Sequence, residues 1–178
     1  MKKVALASML AVCASSAFAG DHTVSIGYAN DSIGDGEHLQ GVMVSYDYNN
    51  DTSPIGFTSS LSLAGKDYNQ SHTYSDGWNE KAEVTAAKGS LLVGANYRVN
   101  DFIAPYVLVG VARGGLETKY SNDDGDKFDE TDHDTGFAYG AGVKITPIEN
   151  FSIRAGYEGT KLFDTQINGF NVGVGYTF

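Results

Sequence analysis

The chain of 178 residues contains one Cys, three Pro and one Trp, and only 12 Lys plus Arg against 22 Asp plus Glu. The deficit of basic residues, a formal net charge of −10, argues against nucleic acid as a partner, because binding phosphate takes Lys and Arg clustered on one face. A single Cys supports neither an internal disulfide nor a Cys-based metal site. No stretch reaches the 18 or so apolar residues of a transmembrane helix, and none sustains the 3.6-residue apolar period of an amphipathic one. The length fits one domain, too short for a two-domain enzyme or for a porin of about 16 strands. What the chain has instead is 22 Gly, 11 Tyr and 9 Phe, the composition of a small β-architecture with tight turns.

Residues 1–19 read as an address. Met1-Lys2-Lys3 is a charged start, Val4 to Val12 is a short apolar stretch, and Ala17-Phe18-Ala19 is an A-x-A cleavage site, the pattern of a secretory signal peptide cut after Ala19. A lipoprotein signal at Leu10-Ala11-Val12-Cys13 is the alternative, disfavoured by bulky Val12 and by the intact A-x-A site. Cleavage at Ala19 removes the only Cys and leaves residues 20–178 as the exported domain, with 10 basic residues against 22 acidic.

From residue 23 onward the recurring signal is alternation with period 2, in eight segments at about 23–29, 41–48, 55–63, 90–99, 103–112, 136–145, 151–158 and 170–178. The sixth is typical: Phe137, Tyr139, Ala141, Val143 and Ile145 alternate with Gly136, Ala138, Gly140, Gly142 and Lys144. In a soluble sandwich the apolar face would be the core and the other would meet water. In a barrel spanning lipid the apolar face points outward. The glycines favour the barrel. Gly27, Gly41, Gly56, Gly94, Gly110, Gly136, Gly140, Gly142, Gly156, Gly169, Gly173 and Gly175 all fall on the polar face. A solvent-facing strand position gains nothing from Gly, whereas the narrow lumen of an eight-stranded barrel needs small residues.

The connections alternate too. Asn49 to Pro54, Asn100-Asp101 and Pro147 to Asn150 are short, while Asp31 to His38, Lys66 to Lys81, Thr118 to Asp134 and, less so, Lys161 to Gln166 are longer and polar. Short turns at one end and long loops at the other describe an outer-membrane barrel with turns in the periplasm and loops outside. Aromatics mark both interfaces: Tyr46, Tyr48, Phe57, Tyr97, Phe151, Tyr176 and Phe178 near the turns, and Tyr28, Trp78, Phe137, Tyr139, Tyr157 and Phe170 near the loops. The expected fold is all-β: an eight-stranded antiparallel transmembrane β-barrel, monomeric, in the outer membrane.

Several stretches then resemble one family across almost the whole exported chain. They include Tyr46-Asp47-Tyr48, Ser53-Pro54-Ile55-Gly56, Tyr97-Arg98-Val99-Asn100-Asp101, Tyr106 to Val111, Gly136 to Gly142, Pro147-Ile148-Glu149-Asn150, Tyr157-Glu158 and the closing Gly173 to Phe178. In order and spacing they are similar to the Ail/Lom/OmpX family of eight-stranded outer-membrane proteins of Gram-negative bacteria. The resemblance implies a surface protein, not an enzyme. Its expected roles are adhesion or host interaction, complement resistance or envelope protection, carried by extracellular loops. It also implies that Tyr176 and Phe178 form the C-terminal signal read by the barrel-assembly machinery. The expected partners are outer-membrane lipid and lipopolysaccharide, that machinery, and a host or environmental surface ligand. The alternative is a structural barrel that stabilises lipopolysaccharide packing.

Candidate interaction residues in the loops are Tyr74, Trp78, Tyr120 and Phe128. From Lys119 to Asp134 the third loop holds seven acids against two lysines, a departure from the basic loops expected for an acidic or heparin-type partner. Asp123, Asp124 and Asp126 are weak candidates for a divalent cation, since EF-hand spacing fails: with Gly125 sixth, the first and twelfth positions are Tyr120 and Thr131. His38, His72 and His133 lie in long connections, and His133 beside Thr135 is the one place where a lipid hydrolase could be sought. Arg98, Lys144, Arg154 and Glu158 fall on the lumen face and read as a polar network that leaves no useful pore. No cofactor is implied.

Overall fold

A computed structural model describes residues 20–34, 36–73, 79–121 and 127–178, except for the side chains of 68–73, 79–84, 118–121 and 127–130. The stretch read as a signal peptide, residues 1–19, lies outside the described residues.

The alternating segments form eight strands in chain order: β1 (Asp21–Ile33), β2 (Glu37–Asn49), β3 (Ile55–Thr73), β4 (Asn79–Tyr97), β5 (Ile103–Ser121), β6 (Lys127–Ile148), β7 (Phe151–Leu162) and β8 (Thr165–Thr177). Each pairs antiparallel with its neighbours, and β1 pairs with β8 from Thr23↔Thr177 to Ile33↔Ile167, closing the barrel. Within the barrel wall, closure gives each strand a partner on both sides, which is what a sheet in hydrocarbon requires.

The alternation assigns the faces. Phe137 is 66% exposed while Ala138 beside it is fully buried, and Ile26, Val42, Leu63, Val107, Val174 and Tyr176 likewise point outward. Ser25, Ser45, Thr58, Ser60, Ser62 and Ser152 point inward and are buried. The glycines expected on the lumen face are all there. At Gly142 and Gly156 the reason is direct, because the Tyr106 ring occupies the space a Cβ would need at both.

The strands are unequal. β1, β2, β7 and β8 have 12 or 13 residues, whereas β3, β4 and β5 have 19 and β6 has 22. Much of the polypeptide expected as loop is therefore ladder. Between Lys66 and Lys81 the β3–β4 pairing runs to Thr73↔Asn79, and between Thr118 and Asp134 the β5–β6 pairing runs to Ser121↔Lys127. The first connection, expected over Asp31 to His38, narrows to a turn around Gly34 and Gly36, and both of those glycines have positive φ. The fourth, expected over Lys161 to Gln166, is a two-residue hairpin at Phe163 (φ 49°) and Asp164 (φ 57°). Two consecutive left-handed residues make a type I′ turn, the hand that matches strand twist. Lys161 Nζ donates to Asp164 Oδ1 at 2.9 Å and holds that carboxyl below the usual carboxylate range.

A bulky residue at a lumen glycine meets both Tyr106 and the Ala155 carbonyl, whereas its neighbour faces outward. Gly142→Leu is expected to destabilise the barrel by about 1–3 kcal/mol and Ala141→Leu to be tolerated, read as the heat-modifiable mobility of the folded barrel on SDS gels.

Candidate functional site

The lumen contains two ionic tiers. Nearer the short turns, Arg154 Nη1 donates to Asp47 at 3.0 Å (Oδ1) and 3.3 Å (Oδ2), and the Thr58 hydroxyl donates to the same carboxylate. The Arg154 guanidinium lies 3.7 Å from the centre of the Tyr106 ring, a cation–π contact away from bulk water. Lys144 Nζ joins this tier, 3.9 Å from Asp47 and donating to Thr23 Oγ1 at 3.3 Å. Farther out, Lys88 Nζ sits 2.8 Å from Glu158 and 3.1 Å from Asp31, and Ser62 donates to Glu158 at 3.4 Å. Arg154, Glu158, Lys88, Asp31 and Asp47 are all buried.

Of the four residues expected to form the lumen network, Arg154 and Lys144 therefore share one tier and Glu158 belongs to the other. Arg98 joins neither: it pairs with Asp21 at 2.9 Å at the periplasmic mouth, partly exposed. The acids Asp31 and Asp47 and the base Lys88 were not singled out from sequence. The available signal was parity, since Asp47 alternates with Tyr46 and Tyr48, and Lys88 lies two residues before Ser90. Apolar side chains fill other parts of the interior: Leu39 packs with Ala64 and Ala86, and Leu92 with Leu108 and Ile167.

Outside the barrel wall, β3 to β6 continue as a four-stranded sheet. β2 pairs with β3 only as far as Gln40↔Gly65, and β7 pairs with β6 only as far as Thr160↔Ala138. Among the described residues, β3 beyond Gly65 and β6 from Lys127 to Phe137 thus lack a strand on their outer sides. The base of the β6 edge is tethered, as the Phe163 amide donates to the Asp134 carboxylate and the Thr160 hydroxyl to the Phe137 carbonyl at 2.9 Å.

The loop candidates divide in two. Tyr120 and Phe128 are opposite partners on β5 and β6 near the tip of that sheet. Tyr74, Trp78, Asp123, Asp124 and Asp126 lie outside the described residues. His133 and Thr135 share the outward face of β6, but their flanking acids accept backbone amides: Asp132 takes the His133 N–H at 2.9 Å and Asp134 the Thr135 N–H at 2.8 Å. His38 Nδ1 lies 3.1 Å from Asn30 Oδ1, and the His72 side chain is outside the described residues. Tyr176 and Phe178 face outward at the seam, where Phe178 and His22 exchange two backbone hydrogen bonds.

A closed barrel with a lipid-facing apolar wall, a packed lumen and one elongated end defines an eight-stranded outer-membrane protein. The chain belongs to the outer membrane protein β-barrel domain family, whose model matches residues 4–178, and within it to the group of OmpX, Ail and PagC. It is 41% identical over 164 residues to the virulence membrane protein PagC of Salmonella typhimurium, covering 90% of this chain and 88% of that one. It is 33% identical to outer membrane protein X of Escherichia coli K12 over the full length of both. The crystal structure of Ail, the attachment invasion locus protein of Yersinia pestis, in complex with the heparin analogue sucrose octasulfate superimposes with a TM-score of 0.74 at 28% identity. That match covers 90% of this chain and 100% of Ail. The protein therefore resides in the outer membrane, in a family of structural and attachment barrels not known as enzymes.

Removing one partner from a buried ion group leaves an uncompensated charge. Lys88→Met, which strands Asp31 and Glu158, is expected to lower unfolding free energy by about 3 kcal/mol or more, measured by urea titration in micelles. Lys161→Met, in an exposed pair, is expected to leave the urea midpoint nearly unchanged. In planar bilayers the two tiers predict no large conductance steps, and Lys88→Ala is expected to leave the apolar packing to keep the lumen shut.

Proposed function

We propose that this protein is a surface-interaction barrel, binding a host or environmental partner through the sheet that β3 to β6 raise above the membrane. The observation that carries this reading is the pair of strand edges there, on β3 beyond Gly65 and on β6 from Lys127, which lack neighbours among the described residues. A strand edge of this kind offers a row of N–H and C=O groups, and an extended segment of another protein can complete it as a further strand. Backbone pairing supplies the affinity in that mode, and Tyr120 and Phe128 flank the tip where side chains would add selectivity.

The charge of the sheet favours a particular partner. Seven acids against two lysines between Lys119 and Asp134 suit a basic or neutral polypeptide and oppose a sulfated polyanion of the kind bound by Ail. The relatives named for virulence, attachment and invasion support a surface role, and complement resistance and envelope protection belong to the same reading. Export by the signal at residues 1–19 and recognition of Tyr176 and Phe178 by the barrel-assembly machinery complete it.

In a non-adherent strain expressing the protein, binding to cultured cells is expected to rise above the vector control. It should return to that control when residues 118–134 are replaced by a short turn. Equal binding by the intact and shortened proteins would refute the proposal in favour of a purely structural barrel.

A further inference from the structure

The periplasmic mouth of the barrel opens into a cup of about 420 Å³, at the end away from the projecting sheet. Its wall comes from the β4–β5 turn, with Arg98 and Asp101, from the β6–β7 turn, with Glu149, and from the ends of β1 and β2, with Asp21 and Asn49. Lys144 and Thr23, both buried, form its floor. Arg154 pairs in register with Lys144 but does not line the cup, because its guanidinium turns the other way, onto the Tyr106 ring. The cup is therefore a closed-ended recess and not the start of a channel.

The floor carries a positive charge that its surroundings do not match. Asp47 receives two hydrogen bonds from Arg154, at 3.0 and 3.3 Å, and a third from the Thr58 hydroxyl, whereas Lys144 Nζ stays 3.9 Å from it. Among the described residues Lys144 makes one hydrogen bond, to Thr23 Oγ1 at 3.3 Å. An ammonium with three N–H donors and a side chain only 8% exposed is thus short of both acceptors and counter-charge. Asn49 adds a second unmet demand: it is buried, its Oδ1 has no partner, and its side chain makes no hydrogen bond among the described residues. At the rim the sign reverses. Asp101 and Glu149 are exposed and make no ion pair among the described residues, while Asp21 is taken by Arg98 at 2.9 Å. An anion is favoured at depth and a cation at the entrance, and a molecule that carries both charges answers both.

We infer that the periplasmic cup binds the carboxylate end of a short peptide whose last residue is basic, with the carboxylate on Lys144 and the basic side chain between Asp101 and Glu149. A terminal lysine or arginine holds its two charges apart on a flexible stem, so one reaches the floor while the other stays at the rim. A free amino acid fits less well, because its α-ammonium would sit beside Lys144; in a peptide that nitrogen is a neutral amide, which the unpaired Asn49 side chain can meet. The volume is that of a small-molecule site, enough for a few residues and not for a folded domain. The cup lies at the opposite end of the barrel from the β3 to β6 sheet, so it stands independently of the proposed surface interaction.

The test uses the folded protein purified from outer membranes in detergent micelles. Titration calorimetry with N-acetyl-alanyl-lysine is expected to show one site per chain. Converting the peptide's carboxylate to the amide should weaken binding about tenfold, the loss of one charge-assisted contact. Lys144→Gln should weaken it equally and abolish the difference between acid and amide; Asp47 keeps Arg154 in that variant, and heat-modifiable mobility confirms that the barrel is folded. Asp101→Asn with Glu149→Gln should weaken N-acetyl-alanyl-lysine but not N-acetyl-alanyl-norleucine, and Lys161→Gln should change nothing. The same two residues placed at the tail of a small carrier protein separate the two sources of such a ligand: undiminished binding supports the site as a receptor for protein tails, and loss of binding supports it as one for free peptides. Absence of binding by the wild type at millimolar peptide, equal affinity for acid and amide, or wild-type affinity in Lys144→Gln overturns the assignment.

Discussion

The hydrogen bonds that join β1 to β8 are the constraint on which everything else rests. A sheet in hydrocarbon has no water to satisfy an open edge, so the ladder from Thr23↔Thr177 to Ile33↔Ile167 must form if the chain is to cross the membrane at all. Closing with only eight strands leaves an interior just wide enough for side chains. The lumen glycines, the Tyr106 ring over Gly142 and Gly156, and the small hydroxyl residues on the inner face all answer that limit. Because hydrophobic residues are needed outside, the core of this protein is largely polar, and its polar groups have to satisfy one another.

The two tiers show how. Asp47 lies between Arg154 and Lys144, and Lys88 lies between Asp31 and Glu158. The first tier carries one surplus positive charge and the second one surplus negative charge, so the interior as a whole is formally neutral although neither tier is. Each group also draws on hydroxyls or a ring: Thr58 and Thr23 below, Ser62 above, and Tyr106 across from Arg154. Such an interior specifies register as well as closure, since sliding β1, β2, β4, β6 or β7 by one residue would turn its ions into lipid.

The barrel was legible in the sequence because period-2 alternation and glycine placement both report which face is which. The ion partners were less legible. Parity placed Asp47 and Glu158 on the lumen side, but which base meets which acid depends on the cross-barrel stagger, and no local pattern encodes that. Alternation is also a signal of lipid contact. Above the membrane both faces of β3 to β6 meet water, the apolar half of the pattern disappears, and a strand reads as a polar loop. The Phe163-Asp164 turn escaped for a different reason, since type I′ hairpins are usually announced by Asn-Gly or Asp-Gly and here neither residue is Gly.

The projecting sheet is continuous with the barrel wall: β5 runs unbroken from Ile103 at the periplasmic end to Ser121 at the tip. That continuity has a mechanical meaning. A load applied at the tip is directed along the strands, whereas the ladder hydrogen bonds run across them. Such a pull shears many bonds together instead of peeling them apart singly. A cell held through this hairpin would therefore be moored by the whole wall of the barrel, and the moored contact would fail before the anchor did.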